Sequence, residues 1–449
     1  MLDRIFALIM PQTLHNGPFP KHLIPILIFA YSCLLPREFT VKIEGAALFP
    51  YRFVLILLLP FAIARLARYP VRPSLIDACV GSASIWFIVS LIYTTSYEAG
   101  MISGTSYAID YGLAYLLGRA SVRSAEDMRQ LFRFFLPGIL ALVVLLAAES
   151  ISHKMLLRPQ LAALLGAPDP YIYFRIRYGL LRAMGPFPHP ILGGVFLAGM
   201  LPMAWYLAHT VKIRLIGCAA ALGAIFTVSS TAVFGLVAAV GLIAMDIIQR
   251  KLKIPVFPLA GIFIGLMLIT ISVVSENGLI NFAIRHFTFD AGSGYYRMYI
   301  WEYGGAEAMQ NPIFGIGAHD WARPEGMISD SVDAYWLFIA MTYGFPAVAA
   351  LSLANIGTIV AIVRSQRFRH SADADAAKAV IVFIAVAIVS GFTVHLWESV
   401  ISWIALIIGC GVSMASQARY IPGPQVWLRP DSNQHPSWPV LAGQSGHTA

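Results

Sequence analysis

Residues 190–208 read PILGGVFLAGMLPMAWYLA, nineteen positions without a charged side chain. A helix crossing the hydrocarbon core of a bilayer needs about 20 predominantly apolar residues, and this run has the length and composition to be one. Moving outward, the same kind of block recurs along the chain. Twelve are predicted, at about 22–36, 46–64, 75–93, 102–118, 133–149, 190–208, 212–228, 231–248, 255–274, 332–360, 379–396 and 399–416. The first is short, the fourth contains Asp110, and the tenth is long enough to tilt or to begin as an interfacial helix.

Composition agrees with that pattern. The 449 residues are 58% hydrophobic and 12% charged, whereas a soluble domain carries about 25% charged residues. A disordered chain is excluded, as are coiled-coil and collagen repeats. The expected fold class is all-α, a polytopic transmembrane helical bundle with two long external loops. A net charge of +8 arises from 31 Lys and Arg against 23 Asp and Glu. No basic stripe, zinc-finger spacing or aromatic RNA-binding run accompanies it, so nucleic acid is not an expected partner. Cys33, Cys79, Cys218 and Cys410 all sit in apolar blocks without metal or disulfide spacing. The N-terminal stretch lacks the basic start and small-residue cleavage site of a signal peptide, so the first hydrophobic helix is expected to stay in place.

Charge sets the expected orientation. With a cytoplasmic N-terminus and alternating spans, the short cytoplasmic loops hold sixteen basic residues, from Arg65, Arg68 and Arg72 through to Arg364, Arg367, Arg369 and Lys378. The short loops near 94–101, 229–230 and 397–398 hold none. That asymmetry is the positive-inside pattern, and Arg37 and Lys42 in the first outside loop are its mild exception. Both termini are expected in the cytoplasm. The expected organisation is N-terminal helices over 1–149, a first periplasmic loop over 150–189 and central helices over 190–274. A second periplasmic loop follows over 275–331, then C-terminal helices over 332–416 and a Pro-, Gly- and Ser-rich cytoplasmic tail over 417–449.

Loops held by a rigid scaffold are the usual home of function. The first long loop ends YIYFRIRYGLLRAMGPFPHP, which groups Arg175, Arg177 and Arg182 before a turn. A guanidinium is a planar fork of donors that matches phosphate oxygens; an ion pair or a lipid headgroup would explain the arginines as well. His189, between Pro188 and Pro190, can bind hydroxyls, take a proton, or cap a turn. In the second loop, Tyr295 to Met309 predicts an amphipathic helix with Arg297 and Trp301 on one face. NPIFGIG follows, with Gly315 and Gly317 suited to positive φ or close approach. Tyr296 and Trp301 are candidates for substrate contact, with interfacial anchoring as the other reading. His319 and Asp333 are candidate proton acceptors, although Asp333 also stands where an anion would favour a helix N-terminus.

Taken together, RxxGPFPHP at 182–190, GSGYYRMYIW at 292–301, NPIFGIG at 311–317 and SVDAYWLFIAMTYG at 331–344 resemble the O-antigen ligase and polysaccharide polymerase superfamily. The resemblance implies a bacterial inner-membrane enzyme acting on polyprenyl-diphosphate-linked glycans at the periplasmic face. It implies that Arg182 and Arg297 engage the lipid diphosphate; Arg175 or Arg177 would help them, and Asp333, His189 and His319 are the candidates to take the acceptor's proton. Ligases of the family carry a histidine before an Asn or Asp at the end of the late loop; here that place holds Val332, followed by Asp333. The expectation is therefore polymerisation of lipid-linked repeat units, with a glycan ligase as the alternative and a lipid-linked glycan transporter behind both. Neither a metal motif nor a nucleotide loop is present, so metal-independent transfer without a cofactor is expected. Partners would be the donor, a glycan acceptor, the bilayer, and a flippase with chain-length or export proteins.

Overall fold

Ser74 and Ser124 each open a long helix by the same device. The Ser74 hydroxyl accepts the Asp77 N–H, and the Asp77 carboxylate accepts the Ser74 N–H at 2.7 Å; Ser124 and Asp127 repeat the exchange. Such capping boxes satisfy helix-end N–H groups that nothing else would serve. Between the caps lie apolar runs, and the runs are helical.

The computed structural model describes residues 19–43, 45–167, 174–253, 291–325, 327, 329–365 and 373–416, all within one unit spanning residues 1–418. In chain order its principal helices are α1 (Ile24–Ser32), α2 (Pro50–Arg68), α3 (Leu75–Thr94), α4 (Ala125–Ser152), α5 (Pro190–Leu207) and α6 (Val211–Leu222). Then come α7 (Ser230–Leu252), α8 (Ala291–Gln310), α9 (Tyr335–Tyr343), α10 (Phe345–Arg364), α11 (Ala374–Gly391) and α12 (Ser399–Ser416). Among the described residues eight are long and apolar enough to cross a membrane: α2, α3, α4, α5, α7, α10, α11 and α12. The chain is a multi-pass helical membrane protein.

Three expected spans take a different form, and a fourth lies elsewhere. The block at 102–118 lies in a helical stretch, 97–121, that runs through two π-turns, Gly100–Gly104 and Ile109–Leu113. Asp110 in the second is met by Arg52 from α2 at 2.8 and 2.6 Å and by the Tyr51 hydroxyl at 3.1 Å. A carboxylate inside a bundle is costly unless paired, and the bidentate guanidinium supplies the pair. The block at 212–228 stops at Leu222 and continues as a 3-10 turn, Gly223–Thr227. The long block at 332–360 breaks at Gly344, where φ is +80° and a Cβ would run into the Ile313 carbonyl oxygen. The block at 255–274 lies outside the described residues.

Helices α5 and α12 form the centre. Of α5, 94% is buried, and of the most apolar stretch of α12, 83%; the figure for α2 is 22%. α5 packs on α6, α7 and α11. Small residues let it approach: a Cβ on Gly194 would meet Ala232 Cβ at 2.6 Å, and one on Gly199 would meet the Phe383 ring at 2.7 Å. Close backbone approach through small residues is how membrane helices gain packing where lipid is as apolar as leucine.

Candidate functional site

The first arginine loop is pinned before it reaches the site. Tyr178 and Gly179, both at positive φ, turn a short hairpin that pairs Ile176 with Leu181 and Arg177 with Leu180. Positive φ at both central residues is what a tight two-residue hairpin demands. Glu149, near the end of α4 and buried, accepts the N–H groups of Leu156, Met184 and Gly185 at 2.9–3.1 Å. The Ala183 N–H bonds the Phe226 carbonyl, and Arg182 Nε points at the Thr227 carbonyl at 3.5 Å. Arg182 is only 3% exposed, so its position follows from the scaffold.

The late loop is stitched to the helix break. Ile316 N–H bonds the Met341 carbonyl at 2.7 Å, Gly317 N–H the Thr342 carbonyl at 3.1 Å, and Phe345 N–H the Pro312 carbonyl at 2.8 Å. Gly315 and Gly317 sit at φ +70° and +64°, the conformation glycine tolerates. Helix α8 includes Arg297, and the Tyr296 hydroxyl donates to the Ser329 carbonyl at 3.0 Å.

These elements enclose a cavity of about 500 Å³ at one end of the bundle. Arg177 and Arg182 from the first loop line it together with Arg297 from α8 and Arg37 from the turn before α2. Three helices also start there: α5 after His189, α7 at Ser229 and Ser230, and α12 just beyond Trp397. Helix N-termini carry partial positive charge and free N–H groups, so they add to the guanidinium field. Among the described residues, four arginines and one carboxylate, Asp333, line the wall.

His189 reports the same convergence. Its Nδ1 accepts the Ile191 N–H at 3.3 Å and so caps α5, which leaves Nε2 as the N–H of the neutral ring. Burial, then Arg182 and Arg297, push its pKa down to about 3. One imidazole therefore feels both arginines that the sequence places more than a hundred residues apart.

A second cavity, about 740 Å³, adjoins the first. The two share Ser331, Asp333, His395 and Trp397. Asp333 does not cap α9: the cap position is Ala334 and makes no side-chain hydrogen bond, while Asp333 accepts the Ser331 hydroxyl at 3.1 Å. His319 lines only the second cavity, its Nε2–H donating to the Thr94 carbonyl at 2.8 Å. Arg175 is exposed, lines neither cavity, and contributes its carbonyl to the Arg182 N–H. Trp301 faces an apolar groove of about 400 Å³ between α8, α9, α10 and α11 instead, and its indole N–H bonds the Phe392 carbonyl at 3.2 Å. The polar and apolar spaces thus divide α8 between Arg297 and Trp301.

Sequence reading did not single out Arg37 or Trp397 as site residues. Arg37 Nη1 lies 3.6 Å from Glu398, and neighbouring Glu38 is locked to Arg158 at 2.8 Å. Burial raises the Glu398 pKa to about 7 against the pull of Arg37. The signal for Arg37 was its place as an exception to the charge asymmetry. Trp397 carried no signal of its own.

One end of a bundle of membrane helices thus holds a cavity lined by Arg37, Arg177, Arg182 and Arg297. The model of the O-antigen ligase family matches residues 215–352, the segment with Ser229, Arg297 and Asp333. No curated protein matches the chain. The family match and the membrane helices together support an enzymatic role in lipid-linked glycan processing at the membrane.

Proposed function

We propose that the chain is a glycosyltransferase that moves a glycan from a polyprenyl-diphosphate carrier to a glycan acceptor at the outer face of the inner membrane. The observation that carries this reading is the single cavity shared by Arg37, Arg177, Arg182 and Arg297. A diphosphate is the ligand that four guanidiniums and three helix N-termini fit. In the reaction the bond from the anomeric carbon to the phosphate oxygen breaks, and the carrier diphosphate leaves with the electron pair. The acceptor hydroxyl oxygen bonds to the anomeric carbon with inversion and gives up its proton. Donors already aimed at the leaving group stabilise charge as it grows and need no reorganisation. Asp333, on the wall common to both cavities, is the proton acceptor. His189 has its Nδ1 lone pair occupied by the Ile191 N–H and is not the proton acceptor. His319 lies on the acceptor side.

The orientation follows from charge. The end opposite the cavity bears the basic loops, including Arg119 and Arg250, and basic loops are retained in the cytoplasm. The apolar groove beside α8 has the lining for a lipid chain.

The match to the O-antigen ligase family favours the ligase form, in which assembled polymer passes to a final acceptor. One observation keeps the polymerase form in view: Val332 stands where ligases carry histidine. Glycan analysis of a deletion strain separates the two. Long lipid-linked polymer left untransferred is the ligase outcome, and accumulated single lipid-linked repeats are the polymerase outcome. Complementation with wild type should restore the product and Arg297→Ala should not. If Arg297→Ala restores it fully, the diphosphate assignment fails.

A further inference from the structure

The two adjoining cavities differ in charge as much as in size. Four arginines line the smaller. No lysine or arginine lines the larger among the described residues; its wall carries Asp320, Asp330 and Asp333. Arg323 pairs with Asp320 at 2.6 Å but lies off that wall, against the Trp321 ring. The rest of the lining sets the rings of Trp321, Trp397 and Phe338 beside His319, His395 and a few hydroxyl and aliphatic side chains. Trp321 is held in place, its indole N–H donating to the Asp330 carbonyl at 3.1 Å.

An ionised carboxylate only accepts hydrogen bonds. A wall of carboxylates and rings therefore suits a ligand rich in O–H or N–H donors and repels one bearing phosphate or carboxylate. Its volume is in the range of small-ligand sites. The common wall at Ser331, Asp333, His395 and Trp397 lets a group in the larger space touch a group in the smaller. Resting on the proposed transfer reaction, we infer that the larger cavity binds the reacting end of the acceptor, and that this end is a glycan without phosphate or carboxylate groups. A phosphorylated acceptor can take part only if its charged groups stay outside this space.

The test uses full-length protein in lipid nanodiscs. The donor is the lipid-linked glycan extracted from a deletion strain. The acceptor probe is the oligosaccharide that mild acid releases from that lipid, offered as released or after its primary hydroxyls are oxidised to carboxylates. Transfer to the released form is expected, and transfer to the oxidised form should be weaker by about tenfold or more. The double variant Asp320→Asn with Asp330→Asn should close most of that gap, which separates charge from a lost hydroxyl contact. Ala318→Trp, placed on an exposed loop position that lines the cavity, should abolish transfer while the protein still retains the lipid-linked donor. Equal use of the two probes, a gap unchanged by the double variant, or wild-type transfer by Ala318→Trp would each overturn the inference and leave the transfer reaction standing. Undiminished transfer by Arg297→Ala would instead remove the reaction itself.

Discussion

The two ends of the bundle treat charge in opposite ways. At the end away from the cavity, several buried or half-buried cations have an acid against them. Arg119 holds Asp77 at 2.8 Å and donates to the Ser416 hydroxyl at the end of α12. Arg250 and Lys378 both meet Asp246 at 2.6 Å, and Arg250 also reaches Asp375 at 2.9 Å. These contacts tie helix ends together. At the cavity end, four arginines share a wall with one carboxylate, and the helices that begin there add positive ends. At one end charge ties helix ends together; at the other it is concentrated on a cavity wall. The difference predicts where a mutation will cost activity and where it will cost protein.

The largest effect should come from the cavity. Arg297→Ala should lower transfer by about 10²-fold or more, on the scale of removing one preorganised donor to developing charge. Its abundance in membranes should equal wild type; a parallel loss of abundance and transfer on immunoblots would erase the contrast between the ends. Asp333→Asn keeps the shape and removes the base, and should lower transfer by about 10²-fold with donor retention unchanged. Full activity in the Asn variant would move the proton to another group.

The opposite end should answer in stability. Asp77→Asn leaves the 2%-exposed Arg119 side chain without its carboxylate, and breaking a buried pair costs about 3–5 kcal/mol. Thermal unfolding in detergent should fall clearly, with transfer per folded molecule preserved. A smaller effect is set by pH. The Glu398 carboxyl titrates near 7 in the folded protein, above its ordinary value of 4.5. The folded state therefore binds the extra proton between those values, and stability should decline as pH rises from about 4.5 through 7. Glu398→Gln should flatten that slope in thermal scans. His189, held near 3, should contribute no titration between pH 5 and 8. Smallest of all is Arg250→Ala: its side chain is 47% exposed, and pairs of this kind contribute at most about 1 kcal/mol.

Much of the scaffold was legible because apolar length is a local property. The run at 190–208 needs no knowledge of its neighbours to be read as a helix in a membrane, and α5 is the most buried of the eight long helices. Arg182 and Arg297 could be singled out by residue chemistry and by resemblance, but their meeting on one wall depends on how distant segments pack. Arg37 shows the limit well. Beyond its place as an exception to the charge asymmetry, nothing in sequence marks it; the Glu38–Arg158 pair and the approach of Glu398 place it. The break at Gly344 escaped the hydropathy reading because Gly-Phe-Pro interrupts a helix without interrupting apolar character. The separation of Arg297 from Trp301 escaped it too: residues four apart share a helix face but stand about 6 Å apart along the axis, enough for two different spaces to claim them.

The stitching of 312–317 onto 341–345 has a consequence for how this protein can diverge. That border of the larger cavity is drawn by amide hydrogens and carbonyls, which every sequence possesses. Relatives can exchange the rings and acids around it, and so change which sugar they accept, without rebuilding the floor. The freedom ends at position 344, where any side chain would collide with the main chain opposite, so inherited variety in glycan choice should surround an unchanging glycine.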